Sequence, residues 1–147
     1  MSTLNVALIT LPTTGNNVFR DRPENKAVEN VDLPALLFYM GQEDVEITSL
    51  DAPSILRKLQ QIRIRLLACK HTHWPVQSVD QTLNQMRMEV ETLLAAGLSI
   101  SGRTLIPLYL GMSEPERDSE GEEPMTRADM TFLFDYFTLS GAPDAFA

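Results

Sequence analysis

Cys69, His71 and His73 come nearest, in type and spacing, to a reactive centre in this sequence. On a continuing strand, period two would set all three on one side, and two histidines so spaced can chelate zinc. The sequence holds one cysteine and two histidines in all, so further ligands would have to be a distant carboxylate or water. A cysteine nucleophile with a histidine base meets the same shortage. Side chains this near in sequence meet only across a bend, and neither an orienting third group nor an oxyanion hole is evident. The stretch is therefore read as a strand end with partly exposed histidines and Trp74 against the start of a helix. No metal ligand and no catalytic residue is assigned to it.

The carboxylates give a similar answer. Glu114, Glu116, Asp118, Glu120, Glu122 and Glu123 form the densest charge run, relieved by Arg117. Hydrolysis by paired carboxylates needs a fixed separation and a pocket that perturbs their acidity. A run this repulsive, with nothing apolar to bury, is expected to be a mobile acidic loop over 113–126. Its functional alternative is a negative surface that repels DNA or meets a basic partner. The seven glycines are scattered and form neither a P-loop nor a dinucleotide fingerprint, so no cofactor is expected. Twelve basic against twenty acidic side chains give a formal charge of −8, which opposes nonspecific binding to nucleic acid. The reading is of a protein that is not an enzyme.

The elements that would carry these residues fit one domain over 1–147, with 44% hydrophobic residues to build a single core. One cysteine excludes an intramolecular disulfide. The start lacks a cationic segment followed by a long apolar one, and no apolar run approaches the roughly twenty residues of a membrane helix, so synthesis in the cytoplasm and no membrane partner are expected.

Along the chain, Leu4 to Leu11 is open between a helix (Leu4, Leu8 and Leu11 on one side) and a strand (Leu4, Val6 and Leu8), before a break at Pro12 to Asn17. Val18 to Val31 reads as an extended connection. Leu33 to Met40 is apolar throughout, as for a strand covered on both faces, with Pro34 near its start and Gly41 ending it. Alternation continues at Val45 and Ile47, and Ser49 to Pro53 makes a turn. From Leu59, Ile62, Ile64, Leu66 and Ala68 share one face, and Gln61, Arg63, Arg65, Leu67 and Cys69 the other. Ser78 to Ala96 is a helix with the stripe Leu83, Met86, Val90, Leu93 and Leu94, and Gly97 can take the positive φ that follows it. Thr104 to Met112 is a strand despite Pro107, and Arg127 to Thr138 is the last strand, its neighbour in a hairpin. The tail 140–147 is expected to be loosely held.

The fold class is α/β of the α+β type, a mostly antiparallel or mixed sheet with helical cover. Arg63 and Arg65 point away from the core, and Leu67 shares their face. On the last strand Leu133 and Phe137 oppose the aromatic row. A sheet with apolar groups on both faces needs a second cover, either another helix or another subunit. Asp135 is expected to pair with Arg63 or Arg65, across strands or across a subunit boundary.

The order of these features resembles the tail terminator proteins of long-tailed bacteriophages, the minor tail protein U-like group. The resemblance is carried by Asn17-Val18-Phe19 with Arg22-Pro23, and by Asp32-Leu33-Pro34-Ala35-Leu36-Leu37-Phe38-Tyr39 with Gly41 and Glu43. It continues through the alternating strand Leu59 to Ala68, the helix Val79 to Leu94, and the ending Ala128-Asp129-Met130-Thr131-Phe132-Leu133-Phe134-Asp135-Tyr136. It implies a sheet flanked by helices and a homo-hexameric ring on the last layer of the tail tube. Such a ring stops polymerisation, presents its other face to the head-tail connector protein and lets DNA pass without sequence-specific binding. The location implied is the head-proximal end of the virion tail, with assembly in the host cytoplasm. Subunit or partner contacts would then involve Leu36, Phe38, Tyr39, Arg63, Arg65, Leu133, Asp135 and Phe137, with Glu116, Asp118, Glu120 and Glu122 lining the opening or meeting the tube protein. Other readings are a different head-tail joining or minor tail protein, and a small metabolite-binding or enzymatic α/β domain.

Overall fold

A computed structural model of the chain describes residues 4, 7–14, 18–20, 34–51, 53–69, 79–100, 102–118 and 125–146. Its elements run in the order β1 (Val18–Arg20), β2 (Ala35–Ser49), β3 (Ile55–Cys69), α1 (Val79–Ala95), β4 (Leu98–Ile100), β5 (Arg103–Leu105), β6 (Leu108–Met112), β7 (Glu116–Asp118), β8 (Met125–Leu139) and β9 (Ala142–Phe146). β3, the strand of plainest alternation, lies at the centre. It buries Ile62, Ile64, Leu66 and Ala68 on one face and turns Arg63 and Arg65 to the other. β2 and β8 flank it, both antiparallel, so that Phe38 and Met130 stand on either side of Ile64. β1 adds to β2 in parallel, and β6, β7 and β9 pair with successive stretches of β8. The sheet is thus mixed, largely antiparallel, with a separate hairpin made by β4 and β5.

One core joins sheet and helices. Leu83, Met86, Val90 and Leu94 recur at steps of three and four along α1 and are all buried, as an amphipathic helix over a sheet requires. Leu4, Ala7 and Leu8 are helical, and Leu4, Leu8 and Leu11 enter the same core. Of the two alternatives for this segment, the described residues 4, 7 and 8 take the helical one, and all three leucines face the core. The Thr13 backbone N–H donates to Glu89 Oε1 at 2.9 Å and its hydroxyl donates to Glu89 Oε2, which ties this segment to α1. At the end of α1, Gly97 takes φ 87°. A Cβ there would lie 2.5 Å from Thr104 Cγ2, so the helix exit is fitted to the β4–β5 hairpin. The molecule is a single α+β domain.

Several boundaries differ from the sequence reading. Val18–Arg20 is not part of a featureless connection but pairs with Leu36–Phe38 as β1. β2 does not end at Gly41. It runs on to Ser49 through a register shift between Met40 and Glu43, which absorbs the glycine as a bulge. The strand foreseen over Thr104 to Met112 is broken at Pro107, which has no N–H for the ladder, so its first part pairs with β4 and its second with β8. β6 and β8 are neighbours, as expected. The 113–126 segment is not a loop throughout, because Glu116–Asp118 pairs as β7 with Met125–Arg127 and the Arg127 guanidinium lies 3.1 Å from Glu116 Oε2. The tail is likewise held: Ala142–Phe146 returns along β8 as β9 after a turn at Gly141. Among the described residues, no helix is long and apolar enough to cross a membrane.

Candidate interaction surface

Cover over the sheet stops short of its full length. The buried stripe of α1 shares one core with Ile62, Ile64, Leu66 and Ala68 of β3 and Met130, Phe132 and Phe134 of β8. Past Met40, β2 continues beside β3 as a long arm on which every residue from Gly41 to Thr48 is exposed. There Val45 is 50% and Ile47 63% exposed. Because β1 matches only Leu36–Phe38, the outer edge of β2 from Tyr39 to Ser49 has no strand partner among the described residues. Charged side chains blunt that edge, namely Glu43, Asp44 and Glu46.

The opposite edge of the sheet is built differently. β6 gives one side to β8 and leaves the other without a strand partner among the described residues. Ile106, Leu108 and Leu110 are all more than half exposed there, with no acidic residue between Arg103 and Ser113. Apolar side chains gathered on an open strand edge are a feature of contact sites.

The face turned away from α1 joins a small apolar cluster to a charge network. Ala35, Leu37 and Leu67 are buried with Phe19 and Tyr39 packed against them. Arg65 stands straight across from Asp129 and donates to both its carboxylate oxygens, at 2.8 and 3.2 Å. Asp135, expected to pair with Arg63 or Arg65, pairs instead with Arg57. The Arg57 Nε and Nη2 groups donate to it at 3.0 and 2.7 Å, and Nη1 donates to Glu46 at 3.4 Å. Register explains the exchange. Asp135 lies opposite Leu59, one side-chain step from Arg57 on the same face, whereas Arg63 is opposite Thr131. The hydrogen bonds from Arg57 hold the Asp135 carboxyl below the usual carboxylate range. On the other face, burial pushes the Tyr109 and Tyr136 phenols upward, with Glu91 and Glu43 adding to it respectively, and Tyr109 packs edge-on against Phe132.

The sequence-assigned contact residues therefore separate into groups. Leu36 and Phe38 are fully buried in the chain's own core, which corrects their assignment, since no surface is left for a partner to touch. Tyr39 is half-buried beneath the Arg63 and Arg65 guanidinium groups, 5.1 and 5.7 Å from its ring centre. Leu133 is half-buried, while Asp135 and Phe137 are exposed. Glu116 meets Arg127 and Asp118 lies in β7. Glu120 and Glu122 lie outside the described residues, as do His71, His73 and Trp74, while Cys69 ends β3. Among the described residues, no three His, Cys, Asp or Glu side chains gather as a metal-binding group.

The sequence reading missed the exposed pair at Val45 and Ile47 and the row Ile106, Leu108 and Leu110 as contact residues. Their alternation was visible, but exposure was not, because it depends on where α1 ends over the sheet.

No protein-family model matches the chain, and no curated protein matches it. Among solved structures, the chain is similar to one from the virion of a native gene transfer agent particle. The identity is 19%, the match covers 90% of this chain and 83% of that chain, and the TM-score is 0.48.

Proposed function

We propose that this protein is a structural component of a phage-like particle, and within that class a tail terminator. It caps the tail tube as a closed ring of identical copies, stops polymerisation of the tube protein and offers the head-tail connector its attachment surface. The observation that carries the reading is the pair of unlike surfaces at opposite edges of one sheet, the β2 arm with Val45 and Ile47 exposed among acidic side chains and the apolar β6 edge at Leu108 and Leu110. A ring needs two different surfaces on each copy, related by a fixed rotation, because head-to-tail contacts alone propagate around a circle. The order of sequence features supports the same reading. In it, the ring is a hexamer at the head-proximal end of the tail, formed in the host cytoplasm, and DNA passes through without sequence-specific contacts.

The test is negative-stain imaging of the protein mixed with purified tube protein. Wild-type protein is expected to close tube ends as rings and to limit tube length. V45E/I47E and L108E/L110E are each expected to leave the ends open while melting within a few degrees of wild type, since exposed substitutions typically change stability by about 0.5 kcal/mol or less. A wild-type protein that stays single beside the tube would overturn the reading.

A further inference from the structure

On the face away from α1, the bulge in β2 leaves a concavity of about 350 Å3, lined in part by Tyr39, Gly41, Gln61, Arg63 and Thr131. Arg63 is the unusual member. Its side chain is 42% exposed, yet its Nε has no hydrogen-bond partner. Asp129 Oδ2 lies 4.0 Å away, at ion-pair distance but beyond a hydrogen bond, and already accepts from Arg65 at 3.2 Å. A partly exposed guanidinium that lines a cavity and keeps an unmet donor is suited to an acceptor from outside. We propose that Arg63, framed by Tyr39, Gln61 and Thr131, is a receptor for a single carboxylate group.

Two features select that chemistry. The Tyr39 ring lies under the guanidinium, 5.1 Å from Cζ, and supports its flat fork, which matches a planar carboxylate in two parallel hydrogen bonds. The whole chain carries −8, which disfavours a polyanion such as nucleic acid at this site. The carboxylate has two sources, an Asp or Glu side chain of a second copy or a free small carboxylic acid. The site does not depend on the assembly proposed above.

The experiment is a titration of 15N-labelled protein with sodium acetate, against sodium chloride at equal ionic strength, read at the Arg63 Nε–Hε signal and the Thr131 amide. Acetate is expected to shift both saturably and chloride to leave them in place. R63K, read at Thr131, is expected to bind acetate at least roughly tenfold more weakly, because a lysine keeps the charge and loses the fork. If the signals sit at their acetate-bound positions in concentrated protein without acetate and move back on dilution, the carboxylate comes from a second copy. If dilution leaves them still, the ligand is a free acid. The proposal is overturned if neither acetate nor protein concentration moves the signals beyond the chloride control, or if R63K binds acetate as well as wild type does.

Discussion

At the scale of single residues, the arginines of β3 show what alternation reveals and what it hides. Period two was enough to turn Arg63 and Arg65 away from the core, because the parity of a strand is a local property. Their partners were not legible. Which carboxylate meets which guanidinium depends on the register between β3 and β8, set by residues about seventy positions apart, and Arg57 took the acid expected for its neighbours. That pair has a pH signature. Since the Asp135 carboxyl is held below its ordinary value, its contribution to stability is complete above the ordinary aspartate range and is lost as pH falls through the lowered folded value. Arg57 stays cationic throughout. D135N should therefore be slightly less stable than wild type at neutral pH. Denaturant unfolding at descending pH should show the two converging in acid, and a difference that is constant with pH would contradict the assignment.

At the scale of elements, the helix and the two central strands were legible, because each satisfies a strong period within its own residues. β1, β7 and β9 were not. Each is a strand by virtue of an extended partner already in place, and none has an apolar pattern of its own. The continuation of β2 past Gly41 was hidden for a related reason, since a bulge keeps a strand going where a glycine reads as its end. The error at Leu36 and Phe38 has a different origin. A strand buried on both faces looks the same in sequence whether the second cover is another subunit or the chain's own residues. Phe38 is shut inside the core, and F38A is expected to cost about 3–5 kcal/mol in denaturant unfolding, the price of a large cavity. A variant of normal stability that failed only in assembly would return Phe38 to the contact surface.

At the scale of the whole molecule, the two open edges make a statement about stoichiometry. If the β2 arm of one copy meets the β6 edge of the next, a copy blocked at one edge keeps the other intact. V45E/I47E mixed with L108E/L110E should then give a dimer by analytical ultracentrifugation, because one good interface is available per pair and no third copy can join. Each variant alone should remain a monomer. Trimers or larger species in the mixture would place the contacts elsewhere. The sequence pointed to an unfilled face but could not locate it, because the reach of α1 over the sheet is a property of packing.

β8 is the strand on which four others depend, since β3, β6, β7 and β9 all pair with it. It also follows β3 at a distance along the chain, at 125–139 against 55–69. Until residue 139 has emerged, β3 has an unmatched side and its row of Ile62, Ile64 and Leu66 lacks half of its neighbours. The sheet therefore closes only once β8 is available, and a nascent chain halted short of that strand is a natural substrate for chaperones.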